Sequence, residues 1–198
     1  MHRHLTICVF CAASRRCHPD YVRHAEDLGR LLAVRGHTMV TGGGSTGLMG
    51  AVADSALNNG GRVVGVMPKF MHSVEVAHGR LSDMRLVESM SERLDTMLAI
   101  SDAFIALPGG CGTLEEILLV VTRKRLGRHA GPLVLVNTRR YFDHLAAALQ
   151  SAIDEGFMDA RHGAMWALAG EPSGALELVE RTPPWPAENA RFAVPGGR

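Results

Sequence analysis

Short apolar runs alternate with helix-like segments along the whole chain, and two of those runs lead straight into glycine-rich turns. The runs at 5–10, 38–41, 62–66, 85–88, 103–107, 133–136 and 165–168 have the length and composition of buried strands. Helical patterns fall between them at 19–35, 48–59, 90–101, 112–126 and 141–155, and a last one runs from Pro172 to about 181; residues 68–83 read as irregular. Strands that are apolar throughout need cover on both faces. The alternation therefore predicts a doubly wound α/β fold, a parallel sheet with helices on both sides. Residues 1–181 read as one domain. Pro183, Pro184, Pro186 and Pro195 cannot continue a helix, so 182–198 is expected to be an extended or disordered tail.

Composition narrows the partners. The 198 residues are 46% hydrophobic with a formal net charge of +1, which gives no electrostatic reason to expect nucleic acid or a membrane surface. The clusters Arg123-Lys124-Arg125 and Arg139-Arg140 read as solvated faces. Residues 5–10 are too short for a signal core and no run approaches a bilayer span, so a cytoplasmic location is expected. Cys8-x-x-Cys11 lies within a strand rather than at a helix start, which favours two small buried hydrophobes over a redox pair. The ten histidines form no helical HxxxH pair, and no metal site is expected.

The chemistry concentrates in the two glycine turns. The first is Gly42-Gly43-Gly44-Ser45-Thr46-Gly47. The second is Pro108-Gly109-Gly110-Cys111-Gly112-Thr113, followed by Leu114-Glu115-Glu116. Glycines let backbone N–H groups approach a ligand, and a helix start favours an anion. In a doubly wound sheet both turns reach the crevice outside the strand ends, where they could clasp one phosphorylated molecule together with the small-residue turn at Ser14. Neither turn is the GxGxxG of a dinucleotide site, and no Gly-Lys-Ser/Thr completes a P-loop. Two bland readings compete. Thr113 to Glu116 fits a capping box, as does Ser89-x-x-Glu92, and Arg93 alone reads as a surface arginine.

Together these residues resemble the LOG ("Lonely guy") family of nucleotide 5′-monophosphate phosphoribohydrolases, once labelled lysine decarboxylases. The resemblance rests on a GGGxxGLMG turn, here Gly42 to Gly50, and on PGGxGTxxE, here Pro108 to Glu116, and it spans about residues 5 to 180. It implies a Rossmann-like nucleotide-monophosphate-binding domain, a homodimer, no organic cofactor, and hydrolysis of cytokinin riboside monophosphates or AMP. Arg93 and Glu116 inherit the family's catalytic pair. Gly110, Cys111, Gly112 and Thr113 take the phosphate, and Gly109, Glu75, Glu115, Thr122, Ser14, Gly43 and Gly44 are further substrate-contacting candidates. The chain departs from the family pattern at Ser91 and Leu94, which replace a histidine and a lysine beside the arginine. Arg123 stands where a tryptophan is usual, and Ala12 replaces a glycine.

The chemistry is coherent on its own terms. Breaking a ribosyl C–N bond builds positive charge on the sugar, which a nearby carboxylate stabilises. Pyridoxal-dependent decarboxylation would need a Schiff-base lysine, and Lys69 and Lys124 stand in no suitable motif. The rival reading is a non-catalytic carrier or sensor of a phosphorylated ligand, resembling the molybdenum-cofactor carrier proteins.

Overall fold

The computed structural model describes residues 3–73 and 76–194. Among them, β1 (Thr6–Phe10), β2 (Thr38–Thr41), β3 (Arg62–Pro68), β4 (Asp83–Val87), β5 (Ala103–Ala106), β6 (Leu133–Val136) and β7 (Ala167–Ala169) form one sheet. Its order is β4-β3-β2-β1-β5-β6-β7, with every neighbouring pair parallel. The helices are α1 (Pro19–Val34), α2 (Gly47–Asn58), α3 (Met90–Ala99), α4 (Cys111–Arg125), α5 (Asp143–Asp154) and α6 (Pro172–Arg181). The chain winds outward from β1 in one direction as far as β4, then returns to place β5 on the other side of β1. The ends of β1 and β5, paired at Phe10 and Ala106, therefore flank the point where strand order reverses. Among the described residues no helix is long and apolar enough to cross a membrane.

Side chains alternate across the sheet and build two cores. Ile7 and Val9 of β1 pack with Leu28 and Leu32 of α1, Val52 of α2 and Leu176 of α6. Cys8 and Phe10 point the other way, to Met97 of α3 and Ile117 and Val120 of α4. Phe10 stacks on Phe104 of β5 with ring centroids 5.9 Å apart. On the first face α1 and α2 approach so closely that a Cβ on Gly29 would strike the carbonyl of Val52. Cys8 and Cys11 are both buried, and burial pushes the Cys8 thiol well above its ordinary value. That is the opposite of what a redox thiol needs.

Local signals set the helix ends. His18 caps α1 by accepting the Asp20 N–H, with Pro19 in the first turn. Ser89 caps α3, accepting the Glu92 N–H at 3.1 Å. The Glu92 carboxylate reaches back to the Glu88 N–H at 2.8 Å, one residue before the usual capping-box partner. β7 begins two residues later than the apolar run suggests, because Met165 closes a 3₁₀ turn over Ala160–Met165.

Two expectations change. Residues 182–194 do not stand off from the domain, and Pro195 to Arg198 lie outside the described residues. Trp185 is 8% exposed, belongs to the second core and donates its backbone N–H to the Ala130 carbonyl at 2.7 Å. A 3₁₀ turn over Ala187–Phe192 follows, and the Arg161 guanidinium lies 3.6 Å from the centre of the Phe192 ring. The apolar ring of Trp185 outweighs the local effect of its neighbouring prolines. The basic run on α4 is likewise not uniformly solvated. Lys124 is 2% exposed, donates to the Gly131 carbonyl at 2.6 Å and sits 6.0 Å from the Trp185 ring. Arg139 and Arg140 are exposed as expected, and both adopt left-handed backbone with φ of 54° and 62°.

Burial lowers Lys124 from 10.5 to about 8. Between those values the unfolded chain holds a proton that the folded chain has released, so stability gains with rising pH across that window. Urea denaturation of wild type and Lys124→Met from pH 7 to 10 should show this gain in the wild type alone. Trp185→Ala should lose about 3 kcal/mol in the same experiment, as large-to-small changes in cores do.

Candidate functional site

The two glycine turns sit beside each other at the carboxyl end of the sheet, and the structure uses them differently. In the first, Gly47 has φ of 61°, and a Cβ there would strike the Ala13 carbonyl. The N–H groups of Leu48 and Met49, at the start of α2, donate to the Ala12 carbonyl at 2.9 and 3.2 Å. Ser45 donates its N–H and its hydroxyl to the Val76 carbonyl, and Gly44 its N–H to the Met49 sulfur at 3.1 Å. His78 N–H bonds the Gly43 carbonyl at 2.9 Å, and Gly44 forms a bridge with Ala77. The donors of Gly44, Ser45, Leu48 and Met49 are thus taken up within the chain.

The second turn is open. Gly110 is the N-cap of α4 and no side chain caps that helix, so the capping box expected over Thr113 to Glu116 does not form. The helix starts three residues too early for Thr113 to serve as its cap. A Cβ on Gly109 would strike the Thr113 hydroxyl, which explains that glycine by packing. Gly110 and Gly112 have nothing within 4 Å of where a Cβ would lie. Their bareness leaves room for something other than protein. Tyr141 steadies the turn from the far side, its hydroxyl donating to the Gly109 carbonyl at 2.5 Å.

The open turn forms one wall of a cavity of ≈ 340 Å³ over the ends of β1 and β5. Its lining includes Ser14 from the first loop, Gly42 from the first turn, Met90, Arg93 and Leu94 from α3, and Gly110, Gly112, Thr113, Glu115 and Glu116 from α4. Arg93 is the surprise: it is 6% exposed rather than solvated. Gly42 makes room for it, since a Cβ there would collide with its guanidinium. Among the described residues its hydrogen-bond acceptors are the sulfurs of Met71 and Met90, and its Nε has none. Arg93 and Glu116 both act electrostatically on Cys8 beneath the cavity floor, the carboxylate raising the thiol's pKa and the arginine lowering it. A buried cation and a half-buried carboxylate thus face one space.

The other sequence candidates fall around this core. Glu115 lies exposed at the mouth, and Cys111 is exposed on the first turn of α4. Gly43 and Gly44 are buried in the closed turn outside the lining, and Thr122 is exposed farther along α4. Glu75 lies outside the described residues. Leu94 is 8% exposed, and Ser91 is exposed. Arg123 pairs with Asp95 of α3 at 2.5 Å. The lining also includes Met49 and Met90, which sequence reasoning did not single out. Their only signal was closeness along the chain to Gly42, for Met49, and to Arg93, for Met90. Among the described residues no group of three or more His, Cys, Asp or Glu could hold a metal. A larger hollow of ≈ 490 Å³ opens at the opposite end of the strands. Its polar groups are engaged: Asp102 accepts the Thr6 N–H, Glu180 pairs with Arg35 and His37, and both His129 ring nitrogens are hydrogen-bonded.

Gly112→Ala separates the two uses of glycine. With no neighbour to strike, the added methyl should leave the melting temperature unchanged or higher. Inorganic phosphate and nucleotide should bind more weakly by calorimetry. Gly42→Ala should instead displace Arg93 and lower both stability and binding.

Comparison with known proteins agrees with this architecture. The model of a family described as "Possible lysine decarboxylase" matches residues 49–179. The chain is 41% identical to cytokinin riboside 5′-monophosphate phosphoribohydrolase LOG1 of Arabidopsis thaliana, over 88% of its own length and 81% of the relative's. It is 42% identical to the "Probable cytokinin riboside 5′-monophosphate phosphoribohydrolase LOGL9" of Oryza sativa subsp. japonica, over 89% and 78% of the two chains. The solved molybdenum cofactor carrier protein of Chlamydomonas reinhardtii superposes with a TM-score of 0.71 at 22% identity, covering 90% of this chain and 98% of that one. The molybdenum cofactor binding protein of Rippkaea orientalis gives 0.68 at 24%, covering 90% and 97%. The latter pair share the fold alone. By the extent and level of its sequence identity with the phosphoribohydrolases, the chain belongs to the LOG family.

Proposed function

We propose that the protein hydrolyses the N-glycosidic bond of nucleoside 5′-monophosphates, AMP or cytokinin riboside monophosphates, releasing free base and ribose 5-phosphate. The observation that carries this reading is the uncapped start of α4 sharing one cavity with Glu116 and the buried Arg93. The free N–H groups of the first turn and the positive end of the helix dipole attract the phosphate. Glu116 lies five residues beyond Cys111, roughly 8 Å along the helix axis. Its side chain leans back toward the helix start, which shortens the reach to about the span from a 5′-phosphate to the anomeric carbon. Phosphate binding therefore sets the ribose over the carboxylate and supplies orientation far from the bond that breaks.

As the C–N bond stretches, positive charge grows on the sugar and Glu116 stabilises it or orients the attacking water. Electron density moves onto the departing base, and the Arg93 guanidinium helps to position the substrate and to stabilise that base. Its thioether neighbours leave its charge largely unneutralised, so it stays available to the substrate. Leu94 puts hydrocarbon beside the arginine where the family carries a lysine, so base preference is the property most exposed to change.

The test is a chromatographic assay with AMP and isopentenyladenosine monophosphate, run beside Glu116→Gln. Base and ribose 5-phosphate should appear together, and the variant should lose about a hundredfold or more in kcat with KM little changed. Nucleotide bound but cleaved by neither protein would replace this reading with the carrier. We also infer a homodimer, consistent with the apolar Leu118 and Leu126 that α4 and its end leave 42% and 46% exposed. Light scattering should give twice the 21.3 kDa chain mass, and a single-chain mass would refute the dimer.

A further inference from the structure

The acceptors around Arg93 are unusual for a buried cation. Its Nη1 donates to Sδ of Met71 at 3.6 Å and to Sδ of Met90 at 3.8 Å. The sulfurs come from different elements, the 3₁₀ turn Lys69–Ser73 and the first residue of α3. A thioether is neutral, polarisable and a weak acceptor. A carboxylate in that place would hold the arginine more firmly but neutralise it, and a leucine would leave Nη1 with nothing to bond. Two sulfurs orient the guanidinium while leaving its charge for the substrate.

Exposure sets Met90 apart from the other described methionines, while Met71 shares an intermediate burial with Met84 and Met158. Met39 and Met67 are 0% exposed, Met97 and Met165 are 1%, and all four serve as core filling. Met90 is 36% exposed and lines the cavity, while Met71 is half-buried. A solute that enters the site can therefore reach a sulfur that touches the arginine.

We propose that Met90 and Met71 are positioning residues for Arg93, and that Met90 is an oxidation site through which peroxide switches the enzyme off. This rests on the reading of Arg93 as a catalytic group. In the step, the Met90 sulfur attacks one peroxide oxygen, an S–O bond forms and the O–O bond breaks. Sulfur loses two electrons, and the leaving hydroxide takes the proton from the oxygen now bound to sulfur, giving water and the S=O group. The product is a sulfoxide, whose dipolar oxygen is a far stronger acceptor than the sulfur it replaces. It bonds the Arg93 guanidinium and draws it from its place over the substrate.

The experiment treats the full chain with hydrogen peroxide, follows added oxygen residue by residue by peptide mass, and measures AMP cleavage. Loss of kcat should run in step with sulfoxide at Met90, with KM changing less. A thiol reductant should not restore activity, although Cys111 and Cys17 are accessible, whereas methionine sulfoxide reductase should. The double variant Met71→Leu/Met90→Leu should show kcat lowered about tenfold, as misplaced groups do, and no further response to peroxide. Met158→Leu should behave as wild type. Full recovery with thiol reductant alone, or peroxide sensitivity that persists in the double variant, would overturn the proposal. A second readout needs no turnover: the Nε–H resonance of Arg93, assigned by its loss in Arg93→Lys, should shift when Met90 is oxidised. If untreated protein cleaves no nucleotide, the hydrolase reading fails. This resonance still decides the clamp, because a signal unmoved by oxidation of Met90 refutes it.

Discussion

One residue's backbone holds the site in its present form. Ala12, just past β1, donates its N–H to the Pro108 carbonyl at 3.2 Å and accepts from Leu48 and Met49 with its own carbonyl. It thereby joins the end of the central strand to both glycine turns, and it closes one of them. Two bare helix starts at one sheet edge would compete for the same anion. With Leu48 and Met49 of α2 turned onto a carbonyl, the uncapped start of α4 is the one that lines the cavity with its first turn. Gly47 serves the same end, since only a residue without Cβ lets the turn come this close to Ala13.

From that asymmetry the rest of the site follows. The closed turn becomes a wall, and its first glycine clears the path along which Arg93 enters from α3. On the proposed reading the open turn is the floor for phosphate, with Glu116 on the same helix at a fixed distance from it. Cation, carboxylate and anion site are then held by α3, α4 and the ends of β1 and β5, all packed on the second core through Met97, Ile117 and Phe10. Rigid elements, rather than loops, set the spacing that the chemistry needs.

The elements were legible because their signals are local. Apolar runs, Gly36 after α1 and Pro172 at the start of α6 place strands and helices to within a residue or two. The open turn was legible too, because three glycines exceed what a cap requires. What sequence reasoning missed depends on neighbours distant in the chain. Arg93 resembles a surface arginine until Gly42 and Met71 are brought beside it. Lys124 sits in a basic triplet, and its burial depends on Trp185 from a proline-rich segment that local rules leave unfolded. The first turn carries four glycines to the second's three, and its closure depends on the Ala12 carbonyl and on residues 76–78. Composition cannot tell a glycine that packs from one that leaves space.

The burial of Arg93 has a thermodynamic consequence for the empty protein. A guanidinium held by thioethers, with Nε unpartnered among the described residues, has given up more hydration than its neighbours return. On the proposed reading, an anion and an electron-rich base at the site offset part of the cost of burying that charge. Occupancy and stability become one linked equilibrium: ligand is held partly because it relieves the charge, and the chain resists unfolding best while the site is full.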